Sequence, residues 1–484
     1  DPRLIRDGNT AKVARLIYRG LFKVSDPDLR PLPDLAQSLH YESPLRACIT
    51  LKPNLTFHNG APLLAGDVAY TFESAMAPAL RSPIGGLFRD RFTNMDLPDG
   101  VDGRKVCLNL KAEVATLPTD LVLGIIPRNT PNDPDAIIPG TGPFRLHRRD
   151  GDRGVVLRRT QNIAQSPEYV IFRTLPDENT RLLAILSGDA DLVVNGFSPS
   201  VLSVLDRAKN VQVARHPSVT VTYLTMNSTR APLQDIRIRQ AIAQAIDRAW
   251  ITENRFGGAA RIANGMLPEG HWARDPDVEN APYAPAQARN LLSAVSAAQP
   301  RLELELLVSN DRLRQLVGRD IKRYLAAVGV DIRIRSLELG TFLGAVRSGN
   351  YELAILQLPE PIEPDMMRWM FYSLATPLEQ VPDAPTPILR QPRRHIEPGL
   401  SQLTDSKDPM CRFWALRRIL EGGITVAQDR ISPIPRQGGG NRSFWADPEL
   451  DCWLDTARRQ KDLERRKSLY GKIQRRLASA GKHR

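Results

Sequence analysis

The sequence predicts an α/β protein of two sheet-and-helix units that flank a cleft. A chain of 484 residues, 42% of them hydrophobic, is too long for one compact core and divides into two to four lobes. Residues 223–250, YLTMNSTRAPLQDIRIRQAIAQAIDRAW, pass from an alternating strand through a polar turn directly into a capped amphipathic helix. Residues 302–357 then alternate strands and helices in the order that builds a parallel sheet with right-handed crossovers.

From the N-terminal side, RACITLKPNLTF at 46–57 alternates and stops at His58-Asn59-Gly60, a strand closed by an Asn-Gly turn. A helix follows with Val68, Phe72, Ala75 and Met76 on one face and Asp67 in the first turn, where the helix dipole favours a carboxylate. Pro139-Gly140-Thr141-Gly142-Pro143-Phe144 predicts a tight turn leading into the strand FRLH. From 169, YVIFRTL, a helix from Asn179 or Thr180 through Leu186, a stop at Gly188 and ADLVV read as a βαβ unit. The strand VTYLTM precedes a helix capped by Asp235, with Ile238, Ile242, Ala245 and Ile246 inward. Beyond Pro268 come LELELLV, a helix over Leu316, Ile321, Tyr324, Leu325 and Val328 that ends at Gly329, VDIRIRS, a helix near 341–348, and YELAILQ. Residues 378–440 hold eight prolines and end in Gly438-Gly439-Gly440, so poor order is expected there. Helices are expected again from Pro448 to about Thr456 and from Leu463 to about Ala478.

Half of the net charge of +12 lies at the end of the chain, where residues 441–484 carry 12 Lys and Arg against 6 Asp and Glu. Arg458, Arg459, Arg465, Arg466, Arg475 and Arg476 read as a solvated face before they read as a phosphate-binding strip. Four cysteines exclude a disulfide scaffold, and their spacing offers no zinc site. Cys48 and Cys107 either pair across a sheet in an oxidising compartment or remain two surface thiols. No apolar run approaches the roughly 20 residues of a spanning helix, and the sequence starts at Asp1 with neither an initiator Met nor a charged-then-apolar stretch, so an export signal is expected outside these 484 residues. G-x-S-x-G, H-E-x-x-H, phosphate-loop and G-x-G-x-x-G patterns are absent, so hydrolase, zinc-peptidase and nucleotide-binding readings have no anchor. His271, beside Trp272, reads as a loop residue rather than a general base, and Gly-Thr-Gly at 140–142 as a sharp turn rather than an anion cradle.

Several of these segments, taken in order, resemble the extracytoplasmic solute-binding proteins of family 5, the oligopeptide- and dipeptide-binding subunits of ABC importers. They are TFHNGAPLLAGDVAYTFE, GTGPF at 140–144, LPDENTRLLAILSGDADLV, the 223–250 stretch, and GMLPEGHWARD with PYAPAQARNLL. NRSFWADPELDCWLDTARRQKDLERRKSLYGKIQ is similar to the family's late helical pair. The family's usual Thr cap is Leu64 here, which predicts a weaker helix start.

The resemblance implies a two-lobed periplasmic-binding-protein fold of type II, with an extra α+β domain inserted in lobe I. Carried across, lobe I takes 1–25 and 168–258, the extra domain 26–167, and lobe II 259–484 with its Pro-rich insert at 378–440. Family members join Tyr372–Pro377 to Asn441 by a far shorter connection and continue through strands returning to lobe I, so a C-terminally truncated product is expected. The implied function is non-enzymatic capture of oligopeptides or similar solutes in an interlobe cleft and delivery to a membrane permease. It brings no cofactor, metal or nucleic acid, and the protein is expected to be an extracytoplasmic, lipid-anchored monomer. A ligand-sensing module of a transcriptional regulator is the alternative. The family's acidic anchor for a ligand ammonium falls on Glu360, in Leu358-Pro359-Glu360-Pro361, where a solvated loop glutamate is the competing role. Asn227 either faces ligand or fixes the turn before Ala231-Pro232, and Gln357 and Asn195 complete the candidate set.

Overall fold

The computed structural model describes residues 1–131, 136–160, 166–216, 218–295, 302–358, 362–372, 408–412 and 447–479. They form two compact units, Asp1–Gly196 and Phe197–Arg484. Among the described residues no helix is long and apolar enough to cross a membrane.

In the first unit, α1 (Gly8–Ile17) precedes the short ribbon β1 (Phe22–Val24) and β2 (Pro31–Pro33). An antiparallel sheet follows in the order β3-β4-β6-β5, from β3 (Ala36–Ser43), β4 (Arg46–Leu51), β5 (Phe92–Asp96) and β6 (Lys105–Leu110). The strand expected over 46–57 is cut short at Leu51, because Pro53 has no N–H for the ladder and Asn54 sits at φ +58°. α2 (Ala65–Met76), α3 (Gly85–Arg91) and α4 (Leu117–Asp120) are the helices of this part of the chain. From α2, Val68, Phe72 and Ala75 join the core formed with Ile49, Leu51, Val106 and Leu108.

Leu64 cannot cap α2, yet the start is fixed from the other side. The Asp67 carboxylate accepts the Leu64 N–H at 2.8 Å and the Arg128 N–H at 2.8 Å. His58 joins two of the motif segments. Its Nδ1 accepts the Gly140 N–H at 3.2 Å, which leaves the proton on Nε2 to donate to Gly142 O at 2.9 Å. The glycines of that turn are needed for close approach, since a Cβ at Gly140 would overlap Ile17 O and one at Gly142 would overlap Leu16 O.

The βαβ reading beyond 169 needs correction. β7 (Phe144–Arg149), β8 (Gly154–Arg159) and β9 (Tyr169–Arg173) make a fully antiparallel sheet. α5 (Glu178–Ser187) ends at Gly188 as expected, with φ +80°. ADLVV forms no strand, and Leu192 and Val194 are 77% and 53% exposed. Alternation marks a strand but does not name its partner, and a short connection favours the antiparallel neighbour.

In the second unit, α6 (Pro199–Leu205) precedes β10 (Val221–Met226), α7 (Ile236–Ala245), α8 (Arg248–Phe256) and α9 (Pro285–Ser293). Then come β11 (Leu302–Ser309), α10 (Arg312–Ala326), β12 (Val330–Leu337), α11 (Leu339–Arg347) and β13 (Leu353–Leu358). The sheet order is β10-β13-β11-β12, with β11 parallel to both β12 and β13 and β10 antiparallel to β13. It therefore draws on residues either side of position 258.

Strand period two explains how helices cover both faces. Leu304, Leu306, Val308, Leu353 and Ile355 pack with α7, α9 and α10, whereas Leu307, Ala354 and Leu356 pack with Phe342 and Val346 of α11. α12 (Met366–Phe371), α13 (Pro448–Arg459) and α14 (Leu463–Ser479) gather around Trp272, Met367, Leu454, Tyr470 and Ile473. The expectation about 378–440 falls outside the described residues apart from 408–412.

Charge pairing revises the reading of the basic tail. Arg466 is buried against Glu363, while Arg475 pairs with Asp275 and Arg476 with Asp447. All four cysteines are bonded, Cys48 to Cys107 across β4 and β6 and Cys411 to Cys452. The second bridge was not foreseen.

Candidate ligand site at the carboxyl edge of the second sheet

β11, β12 and β13 end together at Ser309, Leu337 and Leu358. The carboxyl edge of parallel strands is where open α/β sheets take ligands, because successive connections diverge there and leave a crevice. Here the Asn310 N–H donates to Leu337 O at 2.8 Å and holds two strand ends together. Asp311 caps α10 by accepting the Arg314 N–H at 2.9 Å.

That cap points Arg314 back over the edge. Its guanidinium donates to Asp311 Oδ1 at 3.2 Å and to the Gln357 amide oxygen. Gln315 donates to Ser336 Oγ at 3.2 Å. In register with Gln357, β10 presents Thr222. Amides, hydroxyls and one guanidinium thus line the edge beside the positive end of a helix. Such a lane can orient a polar solute carrying a carboxylate, and among the described residues its polar groups are amides, hydroxyls and one guanidinium held by Asp311.

Of the residues proposed from sequence, Gln357 lies on this edge, exposed. Glu360 lies outside the described residues. Asn227 is elsewhere: β10 and β13 pair from Val221↔Leu358 to Met226↔Leu353, which sets Asn227 and Gln357 roughly 17 Å apart at ~3.3 Å per residue. The Asn227 side chain is 1% exposed, donates to Gly349 O and Tyr351 O at 3.1 Å each, and accepts from Thr229 N–H at 3.1 Å and Oγ1 at 2.7 Å. It closes the turn after β10. Asn195 is exposed at the end of the first unit, in a left-handed conformation with φ +53°. Sequence reasoning missed Arg314, Asn310, Gln315 and Ser336. The polar run Ser309-Asn310-Asp311 directly after an apolar strand was the available signal.

A separate depression of about 590 Å³ on the first unit is walled by Leu175, Leu183 and Leu186. Its Arg173 is already spent on Asp189 O, at 2.9 Å.

Residues 30–376 match the bacterial extracellular solute-binding proteins, family 5 Middle. The probable di/tripeptide-binding protein 5 of Pseudomonas aeruginosa (strain UCBPP-PA14) is 26% identical over 370 residues, 69% of this chain and 66% of that one. The glutathione-binding protein GsiB of Pectobacterium atrosepticum is 26% identical over 359 residues, 70% of this chain and 67% of its own length. The chain thus spans about two thirds of these relatives. Among solved structures, the ABC transporter-associated periplasmic binding protein DppA from Helicobacter pylori, in complex with peptide STSA, superposes with a TM-score of 0.68 at 19% identity. That superposition covers 99% of this chain and 88% of DppA, and it shows a shared fold.

Proposed function

Since the chain belongs to the bacterial extracellular solute-binding proteins of family 5, we propose that it captures a short peptide or peptide-like solute and delivers it to the permease of an ABC importer. It acts as a monomer outside the cytoplasm and leaves its cargo chemically unchanged. Supporting the peptide class are the relatives, one named as a di/tripeptide-binding and one as a glutathione-binding protein. Supporting the place is the polar lane of Arg314, Gln357 and Asn310 at the carboxyl edge, with Glu360 the proposed partner for a ligand ammonium.

The observation that carries this reading is the Arg314–Gln357 pair at that edge, a preset cation beside a neutral amide. Two disulfides fit an oxidising compartment outside the cytoplasm. No observation favours the regulator alternative, and tail arginines that could have served it are paired with carboxylates.

Melting the protein with a mixed tripeptide pool, with glutathione and with free amino acids tests the proposal. Ligand at 100 times its dissociation constant stabilises the fold by about 2.7 kcal/mol, so a clear rise is expected with one of the first two. Arg314→Ala should weaken that ligand roughly 10-fold or more, the worth of a charge-assisted hydrogen bond. A folded sample whose melting responds to none of the three pools would refute peptide capture.

A further inference from the structure

We propose that the outer face of the β7–β9 sheet docks on an anionic phospholipid surface, a contact separate from ligand capture. Strand period two divides this sheet into two faces. Leu146, Val155, Val170 and Phe172 pack with Ile17 and Leu157 on the inner one. The residues between them point the other way: Arg145 on β7 stands opposite Arg158 on β8, Arg158 stands opposite Tyr169 on β9, and Ile171 follows Tyr169 by two. Tyr169 and Ile171 are 41% and 63% exposed, so this face presents large apolar groups to solvent beside its arginines.

Two arginines directly across an antiparallel pair repel each other, and a sheet shaped by stability alone avoids the arrangement. The other four-stranded sheet of this unit does avoid it, since Arg46 pairs with Glu42 and Asp96, and Lys105 with Glu42. On the β7–β9 face the Arg158 guanidinium meets Glu168 at 3.3 Å and lies 5.8 Å from the Tyr169 ring centre, while Arg145 has no ion pair among the described residues. His147 sets its ring 5.5 Å from that of Tyr169. Residues 144–173 hold seven Arg against three Asp and Glu, a net +4 that is one third of the excess of the whole chain.

Cations and apolar groups on one face answer the two parts of a lipid headgroup layer. Arginine takes phosphate oxygens in charge-assisted hydrogen bonds, an aromatic ring with a hydroxyl sits at headgroup level, and an aliphatic side chain gains by leaving water at the acyl boundary. A soluble anion would engage the arginines and leave Tyr169 and Ile171 in water. Negative charge laid against Arg145 and Arg158 offsets the repulsion between them.

Sedimentation of the full chain with vesicles tests the proposal, using phosphatidylcholine alone and phosphatidylcholine mixed with phosphatidylglycerol. Expected is binding to the mixed vesicles, weakened by high salt, and none to phosphatidylcholine alone. Arg145→Thr/Arg158→Thr should lower the partition coefficient roughly 10-fold or more, at about 5-fold for each arginine near a charged surface. Tyr169→Thr/Ile171→Thr should lower it at least about 3-fold, through lost apolar burial. Arg319→Gln/Lys322→Gln removes the same charge from exposed positions on α10 and should stay within about 2-fold of wild type. Arg145→Thr alone should melt no lower than wild type, because it relieves the repulsion from Arg158. A chain that ignores the mixed vesicles overturns the proposal, as does an α10 variant that loses as much as the arginine pair. Full vesicle binding by Tyr169→Thr/Ile171→Thr also overturns it and leaves a soluble polyanion as the partner. A lower melting point for Arg145→Thr would mean that the arginine serves the fold, and it removes the face as a docking surface.

Discussion

His58 carries its proton on Nε2 because the Gly140 N–H occupies Nδ1, and the ring is half-buried. Burial pushes its pKa below the ordinary 6.5 and Arg145 adds to that, while the Gly142 carbonyl acts the other way. A depressed histidine takes up its proton later in the folded chain than in the unfolded one. Stability is thus fully present above about pH 6.5 and falls as pH drops through the folded pKa. Between pH 7.5 and 5 the melting temperature of the wild type should decline more steeply than that of His58→Gln; equal slopes would remove His58 as the cause. Asn227 gives a second residue-scale expectation. Asn227→Ala removes its donations to Gly349 O and Tyr351 O and its acceptance from Thr229 N–H and Oγ1, and it should cost about 2–4 kcal/mol in urea unfolding. A loss below about 0.5 kcal/mol would mean that the amide does not close the turn. Asn227 was recognisable in sequence as a special residue, but which of its two roles applied depended on carbonyls more than 120 positions away.

Helices and strands were legible wherever the signal is local. α7 begins after Asp235, which accepts the Arg237 N–H at 2.8 Å, and α5 stops at Gly188. α2 shows the limit of such reading, since its missing Thr cap is offset by Asp67 reaching the Leu64 N–H. Partners were not legible: β9 pairs with β8, and ADLVV pairs with nothing among the described residues. Glycines make the contrast measurable. Gly140→Ala forces a methyl onto Ile17 O at the end of α1 and should destabilise by about 2–4 kcal/mol. Gly344, exposed in α11 with open space around its Cα, should accept Ala with a gain of up to about 1 kcal/mol. Chemical denaturation of both variants checks the signs, and a neutral Gly140→Ala would mean that the turn does not abut α1.

Each compact unit contains one disulfide, and the two close separations of 59 and 41 residues. Chain-entropy reasoning gives each about 4 kcal/mol of stabilisation, drawn from the unfolded state. Calorimetry of Cys48→Ser/Cys107→Ser and of Cys411→Ser/Cys452→Ser should therefore show each pair lowering the transition of the unit that carries it. If both pairs shift the same transition equally, the units unfold as one. Pairing of Cys48 with Cys107 was an open choice in the sequence, because register alone puts them opposite each other. Cys411 and Cys452 gave no local sign of pairing at all.

The sequence by itself determined that the chain is α/β, where most helices begin and stop, which residues face a core, and, through its ordered motifs, the family to which it belongs. Those properties follow from periodicity, caps and turn chemistry, which act over a few residues. Tertiary structure alone decided that β10 joins the sheet of β11–β13, that Arg314 meets Gln357 and that His271 reaches Ile362. Each joins residues 43 or more positions apart, and such pairs are chosen by how buried surfaces fit and which polar groups still need partners, not by spacing along the chain.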